Sequence, residues 1–288
     1  MALSLPWQLK IAAKLALAQV PGGAKPWHRA GLFRHGAMTS PDYALKVFRG
    51  HLERGRLEPK DLLGKVGLEL GPGDSLFSAL ILRGLGAAGA VLVDADDFAS
   101  HDLSVYRAMV GLLEREGLAP PSLSDVGDRA ALLASCEARY LTDGLASIRG
   151  LPDNSVDFMW SQAVLEHIRR DSFLETLREL RRVLKPDGLA SHRVDLQDHL
   201  AEALNNLRFS ERRWESAFFA EAGFYTNRIQ YSEMLGLFEE AGFAVEMLGC
   251  RRWERLPTPR QALDGQFRDL SESELRVRGF DVLLRAPA

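Results

Sequence analysis

The chain reads as an α/β fold: a parallel sheet of seven strands with helices on both faces. From about Val66 onward, short apolar runs alternate with amphipathic helical runs, the pattern of a sheet covered on both sides. A glycine turn, Gly71-Pro72-Gly73, joins the first run to its helix, and the second run closes on an acid, Asp94. With 46% hydrophobic residues in 288, the chain can bury the core such a sheet needs.

VGLEL (66–70) reads as the first strand and SLFSALILRGLG (75–86) as its helix. AVLVDAD (90–96) is the second strand, followed by the helical LSVYRAMVGLLEREG (103–117). ARYLT (138–142) and VDFMWSQ (156–162) are the third and fourth strands. SFLETLRELRRVLKPDG (172–188) is a helix that Pro186 and Gly188 are expected to stop. LASHRVDL (189–196) is the fifth strand, and SEMLGLFEEAGF (232–243) a helix opening at a serine cap. AVEMLGC (244–250) and VRGFDVLLRA (277–286) complete the set. Residues 1–60, about 197–230, and Arg251 to about Arg276 fall outside the alternation and are too long for ordinary connections. The division expected is a helical cap over 1–60 and a catalytic domain over 61–288, with an acceptor lid at about 197–230. The insertion APPSLSDVGDRAALLASCEA (119–138) has no functional reading from sequence.

Charge excludes one class of partner. A formal net charge of -3, without a basic stripe, gives no reason to expect nucleic acid. Cys136 and Cys250 stand far apart and outside CxxC spacing, so no disulfide framework or zinc knuckle is expected and a reducing cytoplasm is the default. In MALSLPWQLKIAAKLALAQVPGG, Lys10 and Lys14 break the apolar run, which fits neither an export signal nor a membrane span. As a helix it groups Leu9, Ala12, Ala13, Ala16 and Leu17 on one face, for packing on the domain or for weak contact with a membrane surface.

A strand, a glycine turn and a helix together present backbone N–H groups to a phosphate, a carboxylate or a ribose. The dinucleotide fingerprint G-x-G-x-x-G is incomplete, with Phe77 or Ser78 where its third glycine belongs, and no P-loop is present. Asp94, about twenty residues after the turn, is placed to accept ribose hydroxyls.

LELGPGDSLFSALILRGLGAAGAVLVDAD, YLTDGLASIRGLPDNSVDFMWSQAVLEHI and TLRELRRVLKPDGLASHRVDL resemble, in order and spacing, the motifs of class I S-adenosylmethionine-dependent methyltransferases. The resemblance covers about 66–196 and, more loosely, 229–285. It implies a Rossmann-like, mostly parallel seven-stranded sheet, with S-adenosylmethionine as cofactor and S-adenosylhomocysteine as product. By the same resemblance Glu69, Gly71 and Gly73 lie along the methionine part, and Asp94 grips the ribose. Asp143, with the backbone of Gly144 and Leu145, meets the adenine edge, and Ser161 and Gln162 face the transferred methyl. His167 reads as a helix residue orienting the loop after the fourth strand.

Oxygen methylation needs a proton acceptor, and ASHRVDLQDH offers one where the fifth strand ends. His199 is the candidate base, with Asp195 or Asp198 orienting it. His192 is a second candidate, or a core histidine by strand alternation. A divalent cation on Asp195, Asp198 and His199 is the less favoured alternative. Trp214, Tyr225, Asn227 and Arg228, with Tyr231 nearby, are expected to hold a polar ring-shaped acceptor, unless the lid's aromatics form a small core of their own. WHRAGLFRHGAMTSPDYALKVFRGHLE, DLQDHLAEALNNLRFSERRWE and GFYTNRI are similar to methyltransferases of bacterial surface-polysaccharide assembly. That similarity implies a sugar hydroxyl as acceptor, with Trp27, His35 and Tyr43 covering the ligands; His28, His35 and His51 read equally as surface residues, His28 and His51 the more so. The rivals are another small metabolite methylated at oxygen or nitrogen, a cofactor-binding regulator without catalysis, and a nicotinamide-dependent dehydrogenase.

Overall fold

In the computed structural model, which describes residues 6–18 and 38–287 (17 and 18 by backbone only), the apolar runs become a single sheet. In chain order the elements are α1 (Trp7–Ala18), α2 (Pro41–Gly55), β1 (Val66–Leu70), α3 (Phe77–Gly84), β2 (Gly89–Val93), α4 (Leu103–Arg115), α5 (Arg129–Ser135), β3 (Ala138–Leu141), α6 (Leu145–Arg149) and β4 (Val156–Gln162). After these come α7 (Arg170–Val183), β5 (Leu184–Asp195), α8 (Glu211–Trp214), α9 (Ala217–Ala220), α10 (Tyr231–Glu240), β6 (Ala244–Arg252), α11 (Gly265–Arg268), α12 (Glu272–Leu275) and β7 (Val277–Arg285).

The strands are ordered β3-β2-β1-β4-β5-β7-β6, parallel throughout except for β7, which runs antiparallel to both β5 and β6. The chain moves outward from β1 to β3, then returns to lay β4 on the other side of β1. That reversal opens a crevice beyond the carboxyl ends of β1 and β4, where ligands of such sheets bind.

Alternation along the strands gives two cores. Phe158, Trp160 and Leu92 face α2, α3 and α4, with Phe48 edge-on to Trp160 at 5.1 Å. Met159, Ala190 and Val282 face α7 and α10, packing on Phe173, Leu177 and Phe238. The α2 helix therefore lies on the sheet itself, although the sequence assigned it to a cap.

The expected elements differ from the observed ones at three places. The helix before the fifth strand stops at Val183, and Lys185 to Gly188 belong to β5. Leu184 already pairs with Val156, a shift of register absorbs the extra residues, and Lys185 is held by Asp157 at 2.8 Å. Proline cannot continue the helix, so the chain leaves it one turn early. The α10 helix is preceded by Gln230, while Ser232 donates its hydroxyl to Glu274 at 2.6 Å. In α1 the buried face is Trp7, Ile11 and Leu15, whereas Leu9, Ala12, Ala13 and Ala16 are exposed. Both lysines turn inward to donate to lid carbonyls, Lys10 to Leu200 at 2.6 Å and Lys14 to Gly223 at 2.9 Å. Among the described residues no helix is long and apolar enough to cross a membrane.

Candidate active site

The turn after β1 depends on its glycines. Gly71 and Gly73 have φ of 71° and 63°, a region that side chains rarely enter. A Cβ on Gly71 would stand 2.5 Å from Val164 Cγ2, so the turn after β1 and the loop after β4 close on each other there. The backbone N–H of Gly73 donates to Asp94 Oδ2 at 2.9 Å, and Ala95 N–H donates to Oδ1 at 2.8 Å. Gly144, with φ 52°, donates its N–H to the Asp94 carbonyl at 2.8 Å. Asp143 is exposed beside it, and Leu145 opens α6. Gly71, Gly73, Asp94, Asp143, Gly144 and Leu145 thus share one rim of the crevice.

An adenosyl ligand fits this rim. A turn without side chains admits close approach to the main chain, and a carboxylate fixed by two amides is preorganised for vicinal hydroxyls. Glu69 lies beneath, 3% exposed, taking the Trp160 indole N–H at 3.3 Å through Oε1. Burial raises its carboxyl to about 7, against the opposing hydrogen bonds of Ser78 and Trp160.

The insertion at 119–138 also has a place. Arg129 grips Asp97 with both terminal nitrogens, at 2.7 and 2.5 Å, and donates to the Ala99 carbonyl at 2.8 Å. Tyr140 donates its hydroxyl to the Asp96 carbonyl at 3.1 Å. Together they fasten the segment that follows Asp94.

Several expected contacts lie elsewhere. Ser161 has no solvent exposure and is locked to His192 Nδ1 at 2.7 Å, so it does not line the crevice. His192 is a core histidine, 1% exposed, and burial lowers its pKa to about 4, which keeps it neutral and out of reach as a base. Gln162 does reach the end of β4, half-buried. His51, expected at the surface, is instead fully buried and holds Gln162 Oε1 at 3.2 Å and Ser191 Oγ at 2.9 Å. These partners make Nε2 the donor to Gln162 and Nδ1 the acceptor from Ser191. Burial first, then the charges of Arg54 and Arg193, hold the His51 pKa well below 6.5.

Asp198 is spent on its own loop. Oδ1 accepts from the N–H groups of Leu200 and Ala201, and Oδ2 from the backbone and side-chain N–H of Asn205. A carboxylate has roughly four acceptor sites, so none remains for a metal or for His199. His199 is exposed, and its ring stacks on His167 with centroids 4.8 Å apart. Asp195 is half-buried and accepts from Gln197 at 3.1 Å; burial pushes its carboxyl upward against the nearby charges of His199 and Arg251. Beside them, in the turn that follows β4, stands Glu166, which was not singled out in the sequence. Its only signal there was VLEHI itself.

The lid has its own core. Trp214 is fully buried among Phe209, Phe219, Phe224 and Tyr225, and donates its indole N–H to the Thr226 carbonyl at 2.7 Å. Tyr225 donates its hydroxyl to Glu215 at 2.9 Å. Asn227 donates to the carbonyls of Leu165 and Ile168 at 2.9 and 3.0 Å. Arg228, 6% exposed with φ 57°, lies over the Trp214 ring and donates to the Phe209 carbonyl at 2.6 Å. Turned inward in this way, the four do not offer a platform for a ring-shaped acceptor. Asn227 and Arg228 border a cavity of about 410 Å³ whose lining includes neither the glycine turn nor Asp94. The segment after β6 packs against the lid through Leu204, Leu207, Leu263, Phe267 and Leu275. Tyr43 is exposed on α2, and Trp27, His28 and His35 lie outside the described residues.

Comparison with solved structures returns several proteins, some of them named as methyltransferases. The YcgJ protein of Bacillus subtilis is 14% identical, with a TM-score of 0.42, over 82% of this chain and 97% of that one. A phosphoethanolamine N-methyltransferase of Haemonchus contortus, in complex with phosphomonomethylethanolamine and S-adenosylhomocysteine, is 15% identical with a TM-score of 0.45, over 83% of this chain and 52% of that one. An S-adenosylmethionine-dependent methyltransferase of Mesorhizobium loti is 16% identical with a TM-score of 0.44, over 81% of this chain and 94% of that one. No curated protein is similar enough to count as a relative. Residues 48–248, which carry the glycine turn, Asp94, the β4 turn and the histidine cluster, match the family model described as a methyltransferase domain, and the chain belongs to that family of enzymes.

Proposed function

We propose that the chain O-methylates a small polar acceptor in the cytoplasm, the favoured acceptor being a sugar of a surface glycan or its precursor. The methyl donor is S-adenosylmethionine, which when bound supplies a methyl group already activated on a sulfonium and leaves as S-adenosylhomocysteine. The observation that carries the reading is the pairing of two features at one switch point: the glycine turn with Asp94 on one side, and an acid–histidine cluster at the ends of β4 and β5 on the other.

The protein's share of the work follows from this layout. Asp94 and the amides beside Gly71 and Gly73 hold the adenosyl group, while Asp143, Gly144 and Leu145 border its base. Gln162, held by His51, marks the methyl end of the crevice. An in-line displacement then needs the acceptor oxygen aligned and its proton removed. His199 and Asp195 take the proton, standing where the acceptor must enter. The sugar assignment is supported by the sequence similarity to polysaccharide-associated enzymes.

The test is to incubate the purified chain with S-adenosylmethionine and a panel of sugar-nucleotide and glycan acceptors, and to measure S-adenosylhomocysteine release. Turnover with a sugar hydroxyl confirms the reading. Turnover only with amines moves the chemistry to nitrogen. If S-adenosylhomocysteine binds but no acceptor gives turnover, a regulator without catalysis becomes the better account. A thermal shift with NAD and none with S-adenosylhomocysteine overturns the donor assignment.

A further inference from the structure

We propose that Glu166, His167 and His199 form a binding site for a divalent transition-metal ion at the carboxyl ends of β4 and β5. Glu166 and His167 occupy a short turn, Leu165–His167, directly after β4, and His199 lies in the turn after β5. One ligand atom from each lies within 4.8 Å of the other two. Three ligands around an ion with bonds of about 2.1 Å stand roughly 3.4 Å apart, so a small inward movement closes the site. His199 is exposed, and its ring already stacks on His167.

The buried carboxylate points to a cation. Glu166 is 1% exposed, and among the described residues no side chain donates to either of its oxygens, the backbone N–H groups of Glu166 and Asp195 being the donors turned toward it. Asp195, a second carboxylate, lies close enough to act on it electrostatically. Arg251, whose charge acts on Glu166, is already engaged by Asp281 at 2.9 Å and the Val194 carbonyl at 3.0 Å. Two neighbouring acids that share one cation already committed elsewhere are costly, and buried charges are normally paired or bound to metal.

The surroundings hold the ligands as a metal site would. Asn227 fastens the turn at both ends through Leu165 and Ile168, and its own N–H donates to the Glu166 carbonyl at 2.7 Å. His167 Nδ1 donates to the Tyr225 carbonyl at 2.9 Å, which leaves the imidazole lone pair on Nε2. Metal-binding histidines are oriented by this kind of bond. Two imidazoles and one carboxylate select a first-row transition metal over magnesium, and three protein ligands leave a coordination position open.

The site's role rests on the methyl-transfer reading. The open position holds the acceptor hydroxyl and lowers its pKa. As a ligand His199 no longer serves as base, so the released proton passes to Asp195 alone; the acceptor oxygen forms the O–CH₃ bond as the S–CH₃ bond breaks, and the sulfur keeps that electron pair and leaves as S-adenosylhomocysteine.

The test uses cobalt(II) as probe. Titrated into the EDTA-stripped chain, it gives visible d–d absorption that saturates at about one equivalent. His199→Ala abolishes the signal, and Glu166→Gln weakens binding by at least about tenfold, with chemical unfolding confirming that both variants fold. S-adenosylhomocysteine is titrated in parallel by calorimetry into the stripped chain and into His199→Ala. Unchanged affinity there separates the metal site from the donor site, and a failure to bind would sink the donor reading alone. The metal proposal is overturned if the stripped chain takes up no cobalt, or if both variants bind it as the unaltered chain does.

Discussion

The N–H of Gly73 meets Oδ2 of Asp94 across 2.9 Å, tying the turn after β1 to the end of β2 before any ligand arrives. The bond fixes one carboxylate oxygen, while Ala95 fixes the other. Asp94→Ala removes this brace and, on the proposed reading, the ribose grip. Affinity for S-adenosylhomocysteine, read by calorimetry, is expected to fall by about 1.5–3 kcal/mol, roughly ten- to a hundredfold, with little change in the unfolding temperature. Asp94→Asn loses the charge and must turn its NH₂ toward the N–H of Gly73 or of Ala95, so it should not restore the affinity. An Asp94→Ala chain with full affinity would mean that the ribose is gripped elsewhere.

His192 gives the fold a dependence on acid. Its pKa is about 4 when folded and near 6.5 when unfolded, so the unfolded chain takes the proton first as pH drops. Stability is therefore complete above about 6.5 and is lost progressively down to about 4, by about 3 kcal/mol in all. His51, also lowered, acts in the same direction, whereas Glu69, raised to about 7, acts in the opposite one. A difference experiment cancels these neighbours. The stability of the unaltered chain minus that of His192→Asn, from urea unfolding, should shrink as pH falls from about 7 to about 4. A difference independent of pH would show that His192 is not the buried neutral group described above.

Asp198 separates bracing from catalysis. Four N–H groups converge on its carboxylate, which is 2% exposed. Asp198→Asn turns an amide NH₂ toward donors and should cost the lid about 3 kcal/mol or more, because several charge-assisted bonds go at once. Hydrogen exchange over 198–209 should accelerate sharply, while affinity for S-adenosylhomocysteine holds. A variant with slow exchange and lost turnover would return Asp198 to the chemistry.

The sheet was legible because period-2 and helical patterns depend on local residue order: VGLEL and VDFMWSQ are the observed β1 and β4 to the residue. The glycine turn and Asp94 were legible for the same reason, since a short span of chain holds them. What was not legible depends on contacts between distant segments. Trp214 and Tyr225 read equally well as an acceptor platform or as a lid core, and only their burial against Ile11 and Phe224 decides for the core. His51 read as a surface residue, until α2 laid it against Gln162 at the end of β4 and Ser191 of β5. Glu166 and His199 lie far apart in sequence, and only the β4–β5 pairing brings them together.

Arg129 extends this dependence to the donor site. It belongs to an insertion without a motif, yet its bidentate hold on Asp97 and its bond to the Ala99 carbonyl order the segment just past Asp94. The Arg129 side chain is 15% exposed and that of Asp97 39%, so solvent screens the pair in part. Its loss should loosen the segment rather than unfold the sheet. Arg129→Ala is expected to weaken S-adenosylhomocysteine binding by about 1 kcal/mol, roughly fivefold, through the cost of ordering the segment on binding. Lysine cannot reproduce the fork, so Arg129→Lys should recover only part of the affinity. Hydrogen exchange over 95–101 in the absence of ligand should rise in both variants and fall again when the donor site is saturated. Unchanged exchange in Arg129→Ala would leave the insertion without a part in holding the cofactor.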